Sequence, residues 1–131
     1  MAIRINDALR TKMVDAVIGN LGSAGVLKVY SGTQPGTGGD TTAETMIVQF
    51  ESLAWTVGSN GTAALVSTQT GTAATNGTAA WARLASTDGS SYVIDGNCGT
   101  SAASDFVIDT ANISAEAICT LTKATIIQPG S

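Results

Sequence analysis

The residues of this chain that could do chemistry are few and widely spaced. Asp95, Asp105 and Asp109 offer carboxylate oxygens of the kind that bind calcium, but their spacing does not match an EF-hand loop. Two carboxylates could also cleave a glycosidic bond if folding brought them together. A sugar-cleaving site normally has aromatic platforms as well, and aromatic residues make up only 5% of the chain. The sequence therefore favours solvated acids at strand ends.

Other reactive groups are equally sparse. The chain has no histidine, which removes the commonest general base and the commonest zinc ligand. Residues 36–40, GTGGD, lack the Gly-Lys-Ser/Thr ending of a phosphate-binding loop and are predicted to be a loop only. Cys98 and Cys119 belong to no Cys-x-x-Cys motif, so both a disulfide and two small buried thiols in strands stay open. We expect no enzyme activity, no metal and no cofactor.

The charge of the chain is low and unevenly distributed. Charged residues form 12% of the 131, about half the usual quarter, and the net charge is −4, which gives nucleic-acid binding little support. Residues 1–12 carry +2 and the remainder carries −6. This asymmetry is typical of a solvated helix face, and the alternative is a basic end that steers the protein onto an acidic partner or a neighbouring copy.

No apolar run is long enough to predict a membrane span. The start, MAIRINDALR, lacks the hydrophobic region of a secretory signal. We therefore expect no membrane partner, and synthesis and folding in a cytoplasm.

One segment has helical spacing. Asn6 is a candidate N-cap, Asp7 favours the first turn, and Gly19 and Gly22 are candidate stops, which predicts one helix over roughly 7–19. Its apolar residues follow an i, i+4, i+7, i+8, i+12 pattern: Leu9, Met13, Ala16, Val17 and Leu21. We interpret this stripe as core packing; the alternative is an arm that docks on a neighbouring subunit.

The rest of the chain reads as short β-prone runs separated by Gly, Asn and Ser. About eight strand candidates follow one another at the spacing of sandwiches and barrels, and no linker divides them. The prediction is a mainly β chain with one N-terminal α-helix, forming a single domain over 1–131. Residues 1–22 are the N-terminal arm and helix, and 26–128 form a β-sandwich or jelly-roll-like body.

A small pentapeptide, NGTAA, occurs at 60–64 and again at 76–80, with GTAA at 71–74. The unequal intervals argue against a solenoid repeat. Asn60-Gly61 and Asn76-Gly77 are therefore predicted to be hairpin turns, in preference to glycosylation sites.

The six aromatic residues are spread one to a strand candidate, which favours core packing over a carbohydrate-binding stripe. They are Tyr30, Phe50, Trp55, Trp81, Tyr92 and Phe106. An exposed Trp55 or Trp81 would favour a carbohydrate-binding module.

Several phrases together resemble a known group of proteins. These are ALRTKMVDAVIGNLG, LKVYSGTQPGT, SNGTA, TAAWARLASTDGSSYVIDG and a Thr-rich final strand that ends near Pro129. They are similar to small structural proteins of tailed bacteriophages, and the similarity runs over most of the chain. The resemblance implies a virion component on the capsid surface, without catalytic or metal residues, that decorates the head and clamps neighbouring major capsid subunits.

The alternatives are a tail, neck or fibre-associated virion protein and a displayed carbohydrate-binding module. For decoration we expect the major capsid protein as partner and a homo-oligomer, a dimer or a trimer. Residues 1–6 and the loop 33–43 are the segments expected to reach a neighbour. The predicted contact residues are Ile3, Arg4, Arg10, Lys12, Thr33, Gln34, Pro35 and Thr37.

Overall fold

A computed structural model describes residues 4–21, 25–36, 44–58, 61–86 and 92–127. Its helix is α1 (Asp7–Leu21). The strands within these ranges are β1 (Gly25–Tyr30), β2 (Met46–Leu53), β3 (Trp55–Val57), β4 (Thr62–Leu65), β5 (Gln69–Thr72), β6 (Gly77–Thr78), β7 (Trp81–Ala85), β8 (Tyr92–Gly99), β9 (Phe106–Ile108), β10 (Asn112–Ile113) and β11 (Ile118–Ile127). A mainly β chain with one N-terminal helix is thus confirmed.

The start of α1 is the one that the sequence predicts. The side-chain Oδ1 of Asn6 accepts a hydrogen bond from the N–H of Leu9 at 2.9 Å, and the carbonyl of Asn6 accepts from the N–H of Arg10 at 3.0 Å. Asn6 therefore occupies the N-cap and satisfies a helix N–H that has no partner inside the helix.

Replacing Asn6 with alanine removes this cap. We expect the free energy of unfolding to fall by about 1 kcal/mol, because the Leu9 N–H loses its acceptor. Chemical denaturation monitored by circular dichroism measures the change. Asn6→Asp is the matched control, since aspartate caps a helix as well as asparagine does, and equal losses in both variants would contradict a capping role.

The buried face of α1 differs from the predicted one. Arg10 and Val14 are buried and Ile18 packs against the core, an i, i+4, i+8 series. Leu9, in contrast, is 51% exposed, and Ala16 is exposed too. The assignment of this stripe to core packing is therefore wrong at Leu9 and Ala16, whereas Met13 and Val17 are half-buried. A buried position on the observed face is taken by Arg10, whose charge concealed it in the sequence.

Most strands belong to one curled sheet. Its order is β2-β1-β7-β8-β9-β11-β4-β3, and β5 also pairs with β11. Strand β4 pairs with residues 125–127 of β11, and β5 pairs with residues 118–121, with a change of register by one residue between them. These two strands therefore lie end to end along one edge of β11. A separate two-stranded ladder joins β6 to β10.

The two ends of this sheet come together where β2 lies beside β5. Beyond the β3–β4 hairpin, the N–H of Val66 donates to the carbonyl of Ala54, and the N–H of Ala74 donates to the carbonyl of Ile47. The segment 46–57 therefore runs antiparallel to 62–75, and the sheet forms a nearly closed barrel. The sandwich or jelly-roll arrangement is not confirmed.

Apolar side chains fill the barrel. The largest fully buried ones on its inner side include Phe50, Phe106, Leu84 and Leu121. Strand β7 is buried on both faces: Ala82 and Leu84 face the core, while Trp81 and Arg83 lie on the opposite face. There Trp81 stacks on Tyr30, with 4.5 Å between ring centroids and 14° between planes.

The two Asn-Gly pairs have different structures. Gly61 has a φ of +72° at the β3–β4 connection, which confirms a hairpin turn there, although Asn60 lies outside the described residues. Gly77 is paired within β6, so the hairpin turn predicted at Asn76-Gly77 is wrong. A side chain at Gly77 would lie 2.7 Å from Cδ1 of Ile47, and close packing explains this glycine.

Candidate partner-binding surface

The predicted contact residues of the N-terminal part fall into two environments. Arg4 and Lys12 are exposed, whereas Arg10 is only 9% exposed. The guanidinium of Arg10 donates to Asp7 at 2.7 Å, and its Cβ lies against Gly61. Arg10 therefore holds the helix on the barrel, and Arg4 and Lys12 are the cations that present charge outward here. Ile3 lies outside the described residues.

The contact between α1 and the barrel is fixed by one more side chain. The hydroxyl of Thr11 donates to the carbonyl of Gly58 at 3.3 Å and accepts from the N–H of Gly61 at 3.1 Å. Both bonds satisfy backbone groups at the β3–β4 turn. The helix therefore lies at the end of the barrel that this turn closes.

The second predicted segment lies at the other end. Thr33 and Gln34 are exposed and Pro35 is half-buried, directly after the point where Tyr30 pairs with Met46 and Trp81. The strand registers place this point opposite to the β3–β4 turn. The structure therefore separates the two predicted contact segments. Thr37 lies outside the described residues.

Between these ends, β3, β4, β11 and β5 present an outer surface of mostly short uncharged side chains that the sequence analysis missed, with Lys123 of β11 as an exposed charge beside it. Strand pairing brings the side chains of this surface together, because residues on one face of paired strands stand opposite each other. We call this surface the threonine face. Its members are Thr56, Ala64 and Thr125 in one row, Thr62 and Ile127 in the next, Thr70 and Thr120, and Thr72 and Ile118.

The outward orientation of the threonine face follows from strand alternation. Cys119, Leu121 and Ala63 are buried in the core, so their neighbours along β11 and β4 point away from it. Ile118 is 71% exposed and Ile127 is 60% exposed, the two largest apolar side chains on this face. A surface of mostly short uncharged side chains and two exposed isoleucines can contact another protein at a small desolvation cost.

A polar cleft of about 380 Å³ borders this face at the junction of β2 and β5. Thr70, Thr72 and Ile118 form one wall. Gln49 and Glu51 line the other wall, and the amide of Gln49 donates to the carboxylate of Glu51 at 2.8 Å. The cleft gives one margin of the threonine face an acidic, hydrogen-bonding rim.

The two cysteines are free and buried. Burial raises the pKa of Cys98 to about 12. Burial, and secondly the carboxylate of Asp109, raise the pKa of Cys119 above its ordinary value. Both groups are therefore neutral thiols at pH 7, the form that is inert as a nucleophile.

Neither tryptophan is well exposed. Trp81 is only 1% exposed; its indole N–H donates to the carbonyl of Ser31 at 3.1 Å, and the guanidinium of Arg83 lies 5.2 Å from its ring. Trp55 is half-buried and packs against the core. The exposed tryptophan that would favour a carbohydrate-binding module is therefore not found at either position.

Within the described ranges, no group of three or more His, Cys, Asp or Glu side chains is arranged to hold a metal ion. No helix in these ranges has both the length and the apolar character needed to cross a bilayer. Comparisons with protein-family models, with curated proteins and with solved structures found no match to this chain.

Proposed function

We propose that this protein is a structural component of the virion of a tailed bacteriophage, where it decorates the capsid and braces neighbouring major capsid subunits. The threonine face is the observation that carries the proposal. It gives the barrel one outer surface of mostly short uncharged side chains, with the exposed Ile118 and Ile127 at the two ends of β11.

Such a surface suits a contact that is repeated many times on one particle. Threonine and alanine lose little side-chain entropy when a partner covers them, and few charged groups have to be stripped of water. Each contact therefore has a small free-energy cost, and neighbouring contacts reinforce one another through avidity on a multivalent particle.

Placing arginine on the threonine face tests the proposal. We expect Ile118→Arg to reduce occupancy on empty phage heads by about tenfold or more, because the contact would have to bury a long charged side chain in place of an apolar one. Occupancy is measured by quantitative gel analysis of purified particles after incubation with the variant.

Thr45→Arg adds the same charge at an exposed position outside the face and is expected to leave occupancy unchanged. Equal occupancy for Ile118→Arg and the unaltered chain would exclude the threonine face as the capsid contact. Localisation of the protein to the tail by electron microscopy, with few copies per particle, would overturn decoration itself.

A further inference from the structure

The barrel wall has a slot where one strand ends early. Strand β9 lies between β8 and β11, and it begins at Phe106, which pairs with Cys98 on one side and Ala124 on the other. Both flanking strands extend further: β8 starts at Tyr92, and β11 continues to Ile127. Neighbouring strands lie about 4.8 Å apart, so the space beyond the start of β9 is one strand wide.

Two adjoining clefts, of about 170 and 200 Å³, occupy this space. Both are lined by Asp105, Thr125 and Ile127. The larger part of the floor is apolar, since Ile94 and Ile126 pack against the core and Phe106 is 1% exposed. We call this space the β9 slot.

Asp105 and Asn97 close the inner end of the β9 slot. Oδ2 of Asp105 accepts from the N–H of Asn97 at 3.1 Å, and Oδ1 of Asn97 accepts from the N–H of Asp105 at 2.6 Å. Side-chain oxygens thus replace the backbone bonds that a longer β9 would make. Gly96 allows this arrangement, because a side chain there would lie 2.9 Å from Oδ2 of Asp105.

The backbone of β11 is directed into the β9 slot. The N–H of Thr125 donates weakly to the carbonyl of Asp105 at 3.4 Å, and Ala63 pairs with Ile126 on the opposite edge of β11. By the alternation of an antiparallel ladder, Thr125 and Ile127 face the slot while Ile126 faces β4. Because the Thr125 N–H already has an acceptor, the N–H of Ile127 is the donor that this edge directs into the slot, and such an edge is a template for an added strand.

We propose that the β9 slot receives the N-terminal segment, residues 1–5, of a second copy of this chain. This inference deepens the proposed function, on which it rests, since it names the contact that joins copies on the particle. An extended segment places Ile3 and Ile5 on one side and Arg4 on the other. The isoleucines match the apolar floor, and Arg4 is opposite in charge to the exposed carboxylate of Asp105, which lines the slot together with Lys123.

The distribution of charge favours a second copy as donor. Residues 1–12 carry +2 and the rest of the chain carries −6, so the basic end of one copy is attracted to the body of another. Within one copy, residues 4–6 lead into α1 and do not line the β9 slot. Five extended residues span about 17 Å, which is longer than the three residues of β11 that continue beyond the start of β9.

Sedimentation velocity of the purified full chain over a range of concentrations tests this contact. We expect self-association for the unaltered chain. Removal of residues 1–5, or the substitution Arg4→Glu, is expected to raise the dissociation constant about tenfold or more. Lys12→Glu is the matched control, because it reverses an exposed positive charge on the same end of the chain outside the inserted segment, and we expect less than a threefold change.

The acceptor side is tested at Ile127. Ile127→Pro removes the N–H that faces the slot and should weaken association as strongly as Arg4→Glu does, whereas Ile127→Val keeps this donor and should not. A thermal melt shows whether the proline variant is folded. If it is not, the second measurement decides: an Arg4→Cys chain mixed with an Ile127→Cys chain should be joined by a short bis-maleimide, because the native thiols are buried.

Three results would overturn the proposal. They are a monomeric full chain at every concentration, association that is indifferent to removal of residues 1–5, and no cross-link between the Arg4→Cys chain and the Ile127→Cys chain. The occupancy experiment with Ile118→Arg measures capsid binding, independently of self-association. A failure of strand donation is therefore distinguishable from a failure of capsid decoration.

Discussion

Asp95→Ala is expected to lower the free energy of unfolding by about 3–5 kcal/mol, because it leaves the guanidinium of Arg83 buried without its counter-charge. Nε of Arg83 donates to Oδ1 of Asp95 at 2.7 Å, and Nη2 donates to Oδ2 at 3.0 Å. The side chain of Asp95 is 1% exposed and that of Arg83 is 11% exposed. Domains of this size are stable by about 5–15 kcal/mol, so the loss is a large part of the total.

The position of this ion pair explains why the barrel depends on it. Arg83 and Asp95 stand opposite each other on β7 and β8, and the Arg83 guanidinium also lies over Trp81. Trp81 in turn stacks on Tyr30 of β1. Removal of the carboxylate therefore disturbs a cluster that links three neighbouring strands, on the face of β7 opposite the core.

Urea denaturation followed by tryptophan fluorescence measures the effect. Asp7→Ala is the matched control, because Asp7 is 63% exposed and water screens its ion pair with Arg10, and pairs with an exposed partner contribute only about 0.2–1 kcal/mol. The double variant Arg83→Leu/Asp95→Leu should recover much of the lost stability, since it removes both buried charges. A loss for Asp95→Ala no larger than that for Asp7→Ala would contradict a buried, coupled pair.

The sequence was sufficient to predict the helix and the apolar strands, because these elements depend on local signals. Asn6 marked the start of α1, and alternating apolar residues marked the strands that line the core, such as β1 and β11. The three strands it missed are β5, β6 and β10. Two of these have only two residues each, and β5 reads QTGT, so none has an alternation of apolar residues to detect.

The curl of the sheet was beyond sequence reasoning because it depends on distant pairings. The segment 46–57 lies beside 62–75, and β11 pairs with three partners along ten residues. Neither arrangement leaves a local pattern. The predicted alternation of strands was compatible with a sandwich and with a barrel alike.

The candidate site was hidden for a related reason. Thr56, Thr70 and Thr120 are far apart in the chain, and only strand pairing brings them to one surface. Ile118 and Cys119 are both apolar neighbours in β11, yet one is 71% exposed and the other fully buried. Hydrophobicity alone assigns both to the core, and the phase of the strand relative to the barrel decides between them.

The same pairings connect the threonine face to the β9 slot. Thr125 and Ile127 contribute their side chains to the face, while their backbone edges the slot. One strand therefore serves both proposed contacts, the first with the capsid and the second with a neighbouring copy. Substitutions that change only the side chain at Ile127 affect the face, whereas proline at the same position affects the slot as well.

Gly71→Ala is expected to lower the free energy of unfolding by about 1–3 kcal/mol, because it adds an atom where two backbones touch. A methyl group at Gly71 would lie 2.5 Å from the carbonyl oxygen of Gln49 and 3.2 Å from Cγ2 of Val48. The first contact is with backbone, so no side-chain rotation relieves it. Strand β5 would have to move away from β2, at the place where the barrel closes.

Gly19→Ala is the matched control, since a side chain there meets nothing within 4 Å and alanine is the better helix former. We expect this variant to gain up to about 1 kcal/mol. Hydrogen exchange separates the two effects by location: Gly71→Ala should increase exchange in β2 and β5 above all, because the junction of these strands opens first. Unchanged protection of β2 from hydrogen exchange would mean that the approach of Gly71 to Gln49 does not hold the barrel closed. The threonine face would then be positioned by the pairing of β11 with β4 and β5 alone.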